Sequence, residues 1–238
     1  MTRKLLIAGG ILAVIVVIAV KFLASNLDAI VKKAITTVGT EMTGVSVDVG
    51  DVAIALTDGR GEIGGLVVDN PRGYQGPHAF KLGSILLDLD AAAAGSDVAI
   101  IRELTVEAPD IVYEKGTSGS NVEAIQNNID EYSKTHAAAT DAATKDADAA
   151  ATRFIVESLQ IRNGKIRLPE RDAVIDLPPL SMRDVGKSRG GMTGSEIASI
   201  VVKQITQATV ASAARGAAKD AVKEAVDEKR DGRRRPGR

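Results

Sequence analysis

The 238-residue chain has no cysteine and no tryptophan, two histidines, and only 3% aromatic residues. Without cysteine there is no disulfide, no thiolate metal site and no cysteine nucleophile, and the chain suits any redox compartment. The scarcity of aromatics argues against base-stacking platforms and aromatic sugar clefts. His78 and His136 stand far apart, and no carboxylates accompany them at metal-ligand spacing. Thirty Lys and Arg face 31 Asp and Glu, so no global charge recruits nucleic acid. Motifs for catalysis are equally thin. No serine sits in a nucleophile elbow. Gly59 to Gly64 spells G-x-G-x-x-G, but a strand-like run follows it where a dinucleotide site needs a helix, so turn glycines suffice. Asp88 and Asp90 share a strand face with the leucines turned the other way, which reads as a solvated face. The composition implies a non-enzymatic protein with no cofactor and no metal.

What is present begins at the N-terminus. Arg3 and Lys4 precede Leu5–Val20, all apolar or glycine, and Phe22-Leu23-Ala24 lengthens the run past Lys21. About 20 such residues at about 1.5 Å each span the roughly 30 Å hydrocarbon core. No A-x-A pattern precedes a cut at Phe22-Leu23-Ala24-Ser25, so residues 1–24 read as an uncleaved anchor rather than a signal peptide. The leading cations place the N-terminus in the cytoplasm and export the rest. Gly9 and Ala13 form a small-xxx-small pair suited to self-association.

Residues 25–44 carry apolar positions at helical spacing (Leu27, Ile30, Val31, Ala34, Ile35, Val38, Met42) and end at Gly44. This amphipathic helix packs either on its own domain or on the membrane surface. Residues 45–115 switch to a period of two and read as a β-meander, with Pro109 marking a break or edge. Residues 116–152 form a helical, Ala-rich insert. Ser120 and Glu123 have capping-box spacing, whereas the run from Thr135 to Arg153 fits helix or linker. Residues 153–190 form a second β block, in which Asn163-Gly164 predicts a hairpin turn and "AVIDLPPL" a last edge strand stopped by Pro178 and Pro179. Thr193 and Glu196 repeat the capping-box spacing at the start of a long helix, residues 191–228, and residues 229–238 are a basic tail.

This succession resembles the N-terminal module of the AsmA family of bacterial envelope proteins, over roughly residues 1 to 180. The resemblance rests on Asn70-Pro71-Arg72-Gly73-Tyr74 after a strand, on the alternating Leu and Asp of Ile85 to Asp90, on the proline-broken pair Leu104-Thr105-Val106 and Ile111-Val112-Tyr113, and on "FIVESLQIRNGKIRL". It implies a kinship with bridge-like proteins that conduct phospholipid between membranes in an open, apolar β-groove. Here there is one module. Eight or so strands at about 4.8 Å extend only about 35 Å, too short to bridge two membranes.

The expected fold is therefore α+β: a transmembrane helix, a curved antiparallel sheet or groove of about 7–9 strands, a helical insert and a long C-terminal helix. Ile85, Leu87, Leu89, Leu104, Val106, Leu159 and Ile161 are the candidates to line a groove for acyl chains. The alternative is that helices cover that face and make an ordinary core. Arg230, Arg233, Arg234 and Arg235 are candidates for anionic headgroups, or else part of a solubilising end. The expected setting is a single-pass protein of the bacterial inner membrane, with most of the chain periplasmic. It would act in envelope lipid homeostasis, or serve as a scaffold whose helices assemble an envelope complex. The expected partners are the bilayer, phospholipid, and an envelope protein or a second copy; nucleic acid is not among them.

Overall fold

The computed structural model describes residues 27–55, 58–90, 98–143 and 153–232. The expected anchor lies outside these residues, and among the described residues no helix is long and apolar enough to cross a bilayer. Residues 27–43 form helix α1, stopped at Gly44, whose φ of 69° is left-handed and whose N–H bonds Thr40 O at 3.0 Å. Next come β1 (Val47–Asp48), β2 (Asp51–Ala55), β3 (Arg60–Val68), β4 (Phe80–Leu89), β5 (Val98–Glu107) and β6 (Asp110–Val112). A small hairpin, β7 (Lys115–Gly116) and β8 (Gly119–Ser120), leads into helix α2 (Asn121–Ala143). The chain returns as β9 (Arg153–Arg162), β10 (Lys165–Leu168), β11 (Ala173–Asp176) and β12 (Leu180–Val185), then ends in helix α3 (Gly194–Gly232). Apart from the β7–β8 hairpin, these strands form one curled, half-barrel sheet, so the class is α+β.

The strands occupy six lines, most of them broken in two. β1 and β2 both lie along β3, β5 and β6 both along β4, β9 along β5, β10 along β6, β11 along β10 and β12 along β9. The breaks fall at the same height. On one side of it, Val47, Val68, Phe80, Ile111, Ile166 and Ile175 are register partners across all six lines. On the other side, Val52, Ile63, Ile85, Val106, Ile161 and Leu180 are partners in the same way. In each line the two residues are five apart (47 to 52, 63 to 68, 80 to 85, 106 to 111, 161 to 166, 175 to 180).

An odd spacing would normally put them on opposite faces, because side chains alternate. Eight of these twelve residues are buried, on both sides of the break. Every line therefore changes phase by one residue at this height while partner registers stay constant, and the sheet has a transverse crease there. Three residues on the crease take positive φ: Gly65 at 62°, Ala108 at 48° and Asn163 at 58°.

The crease bends the sheet around the helices. Val106, Ile111, Leu159, Ile161 and Ile166 from the sheet share a core with Val122, Ile125 and Ile129 of α2 and Ile197 and Ile205 of α3. Each full burial of this kind contributes about 1.5–3 kcal/mol. Both expected capping boxes form. Glu123 accepts from Ser120 N at 2.8 Å and Glu196 from Thr193 N at 2.8 Å, while Ser120 Oγ and Thr193 Oγ1 accept from the glutamate amides at 3.3 Å. α2 and α3 are pinned together where Ser199 Oγ donates to Asp130 Oδ1 at 2.5 Å and Ser133 Oγ donates to Ser195 O. Burial pushes the Asp130 carboxyl up, but the Ser199 and Gln126 hydrogen bonds and nearby Lys203 and Lys134 outweigh it and hold it below its usual value.

Both sheet edges are blocked. Along β2, Asp28 Oδ1 of α1 accepts from Ile54 N at 2.9 Å, and Lys32 Nζ donates to Gly50 O at 2.5 Å. The opposite edge is interrupted by Pro178 and Pro179 and by Asp184 at φ 53°.

Four expectations change. The sheet is mixed rather than wholly antiparallel, because α2 serves as the crossover that makes β9 parallel to β5. Asn163-Gly164 is no hairpin turn: β9 and β10 run in one direction, and the pair supplies the crease residue of that line. The chain does not stop at Pro178-Pro179 but crosses the crease there into β12. The last helix spans 194–232 rather than 191–228.

A Cβ on Gly164 would sit 2.7 Å from Leu177 Cδ2 and 2.9 Å from Pro109 Cγ, where three lines converge on the crease. Gly164→Ala should therefore lower stability by about 1–3 kcal/mol in urea unfolding. Ala108→Gly, which relieves a left-handed alanine, should be neutral or stabilising by about 1 kcal/mol.

Candidate functional site

Beside the core lies an apolar cavity of about 720 Å³. Its walls come from four places: Ala34, Ile35, Val38 and Met42 of α1; Val47, Leu66 and Val68 of β1 and β3; Ile129 and Tyr132 of α2; and Phe154, Ala198 and Val202 of β9 and α3. The space exists because α1 is fixed near both ends of its described length but not in between. At its C-terminal end Met42 and Thr43 are buried, Asn128 Nδ2 donates to Thr43 O at 2.7 Å, and Val47 N donates to Thr40 Oγ1 at 3.1 Å. Near residues 28–32 it is held by the Asp28 and Lys32 bonds to the β2 edge. Between them small residues, Ala34 and Gly39 on α1 and Gly194, Ser195 and Ala198 on α3, stand beside the larger Ile35 and Val38. Val38 lines the cavity yet is 41% exposed, so the space opens to solvent beside α1. Its polar fringe is uncharged: Thr43, Tyr132, Thr193 and Ser195, the last two sharing a hydroxyl hydrogen bond of 3.0 Å.

The seven residues expected to line a groove lie elsewhere. Leu104, Val106, Leu159 and Ile161 are buried in the core under α2 and α3, and Ile85, Leu87 and Leu89 are half-buried against it. None lines the apolar cavity. Leu87 borders a second hollow of about 530 Å³, whose walls include Asp28, Arg60, Glu62, Asp88, Glu103 and Arg162. That hollow mixes these charges with Ala53, Ile54, Ala55 and Leu86, unlike the uncharged cavity beside α1. Asp88 and Asp90 face outward and pair with Arg102, as a solvated face requires. Arg230 falls in the last turns of α3, and Arg233, Arg234 and Arg235 lie outside the described residues. Among the described residues no group of His, Asp and Glu is placed to hold a metal.

The Asn70–Tyr74 turn is the hub of a polar network that sequence reasoning saw only as punctuation. Glu114, just after β6, accepts from Gln75 N at 2.8 Å, Gly76 N at 2.7 Å and Asn70 Nδ2 at 2.8 Å. The fully buried Asn121 closes the ring: its Nδ2 donates to Asn70 Oδ1 and Val112 O, and its Oδ1 accepts from Glu114 N at 3.0 Å. Tyr74 Oη reaches Gly119 O at 3.2 Å. The loop between β3 and β4 is thus tied to the start of α2, across about 45 residues of sequence.

Gly76 has no room for a side chain, since a Cβ would lie 2.5 Å from Glu114 Oε1 and 2.8 Å from Val112 Cγ1. The network is structural, because every group in it is turned toward another part of the chain. His78, next to it, is half-buried, with Nε2 shielded and unbonded among the described residues. Burial holds its imidazole below the ordinary value, helped by Lys81 and Arg167 and opposed by Asp110 and Asp69.

A scan against protein-family models, a search of curated proteins and a search of solved structures each return no match.

Two outcomes follow. Asn121→Leu leaves Glu114 N, Val112 O and Asn70 Oδ1 without their partner and should cost at least about 2–3 kcal/mol in chemical denaturation. The folded state also prefers neutral His78. Its contribution is complete well above the unfolded-state pKa of about 6.5 and is lost as the pH falls through that value, where the unfolded chain gains a proton the folded one resists. His78→Phe should flatten the stability–pH curve between about pH 7 and 5, measured by urea midpoints.

Proposed function

We propose that this protein is a membrane-anchored, AsmA-like protein of the bacterial periplasm that shelters lipid acyl chains and so serves envelope lipid homeostasis. It does so without catalysis, cofactor or metal. The apolar cavity between α1 and the sheet is the single observation that carries this reading. Its volume falls inside the roughly 300–1,000 Å³ of small-molecule sites. Its wall is aliphatic apart from Tyr132 and Phe154, with an uncharged fringe, which suits a hydrocarbon tail.

Its position supports the same reading, since α1 is one wall and follows directly on the apolar run Leu5–Val20. If that run spans the inner membrane with its N-terminus cytoplasmic, the cavity stands within one or two nanometres of the bilayer surface, at about 1.5 Å per helical residue. With both sheet edges blocked, sheltering is local, and reaching a second membrane would require other proteins.

A second reading, a scaffold, draws on α3. Its C-terminal part passes beyond the core, tethered by Arg171 to Asp220 and then exposed, with Val222 and Val226 at 65% and 56% accessibility. A helix with apolar residues four apart in solvent is suited to a partner helix.

Lipid extracted with the full-length protein and identified by mass spectrometry decides between them. Val38→Asp, on the exposed rim of the cavity, should reduce bound lipid at least about tenfold, as a desolvated carboxylate must, while leaving the thermal midpoint within a few degrees. Protein that carries no lipid before mutation removes the lipid reading. A crosslinked partner lost on deleting residues 218–232 supports the scaffold.

A further inference from the structure

We infer that α3 is a hinged cover: it opens from the sheet as a unit, pivoting where the chain enters it, while α1, α2 and the strands stay folded. The first support is the face by which α3 is held. α2 turns Val122, Ile125 and Ile129 to the core, each at most 2% exposed. Among the described residues α3 buries Ile197 and Ile205, then Thr206, Thr209 and Ala213. A threonine in a helix commonly gives its hydroxyl to a carbonyl one turn back. Neither Thr206 Oγ1 nor Thr209 Oγ1 has a hydrogen-bond partner among the described residues, although Thr209 is fully buried. Gln126 of α2, which donates to Asp130, has its Oε1 unbonded as well. A buried hydroxyl without a partner disfavours the docked state, and water satisfies it once the helix lifts.

The second support is how lightly the helix is otherwise tied. Ser199 Oγ donates to Asp130 Oδ1 and Ser133 Oγ to Ser195 O, bonds that exchange for water at modest net loss. Against the sheet, Val210, Ala213 and Ala217 stand off from Tyr113 and Leu168 across a gap of about 110 Å³, which forfeits dispersion contact. Farther on, the Arg171–Asp220 pair at 3.5 Å is exposed and screened by solvent. Among the described residues no strand follows α3, so its departure breaks no ladder bond.

The third support is a pivot. Phe154 and Met192 exchange two backbone hydrogen bonds, 2.7 and 2.9 Å, which fix the chain to β9 directly before α3. Gly194 is the first helical residue, and outside its own helix and neighbours no described atom lies within 4 Å of where a Cβ would stand. The chain is thus clamped at 192 and unobstructed at 194. Opening about that point bares Tyr113 and Leu168 of the core and removes Ala198 and Val202 from the wall of the cavity beside α1. The inference holds whether or not that cavity takes a lipid.

The test is hydrogen exchange, read by mass spectrometry, on the full-length protein in detergent. A helix freed from packing keeps little protection of its own, so residues 197–213 should exchange together, at least about tenfold faster than residues 122–130 of α2 and than β9. Thr206→Val and Thr209→Val should each slow that exchange at least about fivefold, since the methyl needs no partner. The chain has no native cysteine, so Ala213→Cys on α3, Leu168→Cys beneath it and Ile125→Cys on α2 each carry a single thiol. The first two should react with a soluble maleimide at least about tenfold faster than the third. Protection of 197–213 equal to that of α2 and β9 overturns the inference, as do valines at 206 and 209 that leave exchange unchanged or faster. Fast exchange in α3 with a Leu168→Cys thiol no more reactive than that of Ile125→Cys also overturns it, because the helix then frays in place and bares nothing.

Discussion

The fold depends on one geometric constraint: a change of phase by one residue at the same height in all six lines of the sheet. A single β-bulge is a local matter, one unpaired residue in one strand. Here all six lines change phase together with their registers intact, which makes a hinge line and must be cooperative. If one line lacked its change of phase, every side chain beyond the crease in that line would turn from the core to solvent. Two ranks of aliphatic residues, from Val47 to Ile175 and from Val52 to Leu180, would then no longer share a face. The means differ from line to line: a left-handed glycine at 65, a strained alanine at 108, an asparagine at 163, two prolines at 178 and 179. The shared outcome constrains the chain more than any one residue type does.

The polar network and the cavity are both consequences of that bend. Curling the sheet brings the loop between β3 and β4 against the end of β6 and the start of α2, and two polar segments buried there must satisfy one another. Glu114 and Asn121 do so almost completely, taking three donors on one carboxylate and closing the ring through Asn70. On the opposite flank the curl leaves room. α2 and α3 fill the concave face where the sheet residues are large, while near β1 and β3 Ile35, Val38 and Met42 of α1 line the margin without filling it. The same curvature thus gives a filled core and an unfilled margin, and the residues at the centre of the sheet belong to the first.

Local features were legible in the sequence and long-range ones were not. Both capping boxes and the stop at Gly44 rest on contacts within four residues, and each is present as read; the outward aspartates of β4 follow from alternation, and the two long helices form with shifted bounds. The Asn163-Gly164 pair shows the limit. Its tolerance of positive φ was recognised correctly, but that property serves a hairpin turn or a change of phase equally well. The choice between them is made by β5 and β6, 55 residues earlier, which β9 and β10 join in parallel. The crease itself was visible in part. Val47, Val49, Val52 and Ile54 change phase by one residue, which a reading of continuous alternation passes over. The cavity had no signature, because it is defined by what neighbouring helices fail to fill, and alanines and glycines carry no sign of what they face.

The blocked edges bear on how far the AsmA resemblance can be carried. In a protein that conducts lipid along a groove, the sheet grows by adding strands, so its edge must offer free N–H and C=O groups. Here Asp28 and Lys32 bond the β2 edge, while prolines and a left-handed Asp184 break the other. Freeing the β2 edge would forfeit the Asp28 and Lys32 hydrogen bonds. The apolar space is likewise not a trough running the length of the sheet but a recess beside α1 that opens to solvent at Val38. On the proposed function, then, the module behaves less as a segment of a conduit than as a terminal holder, with α1 as one wall of the recess.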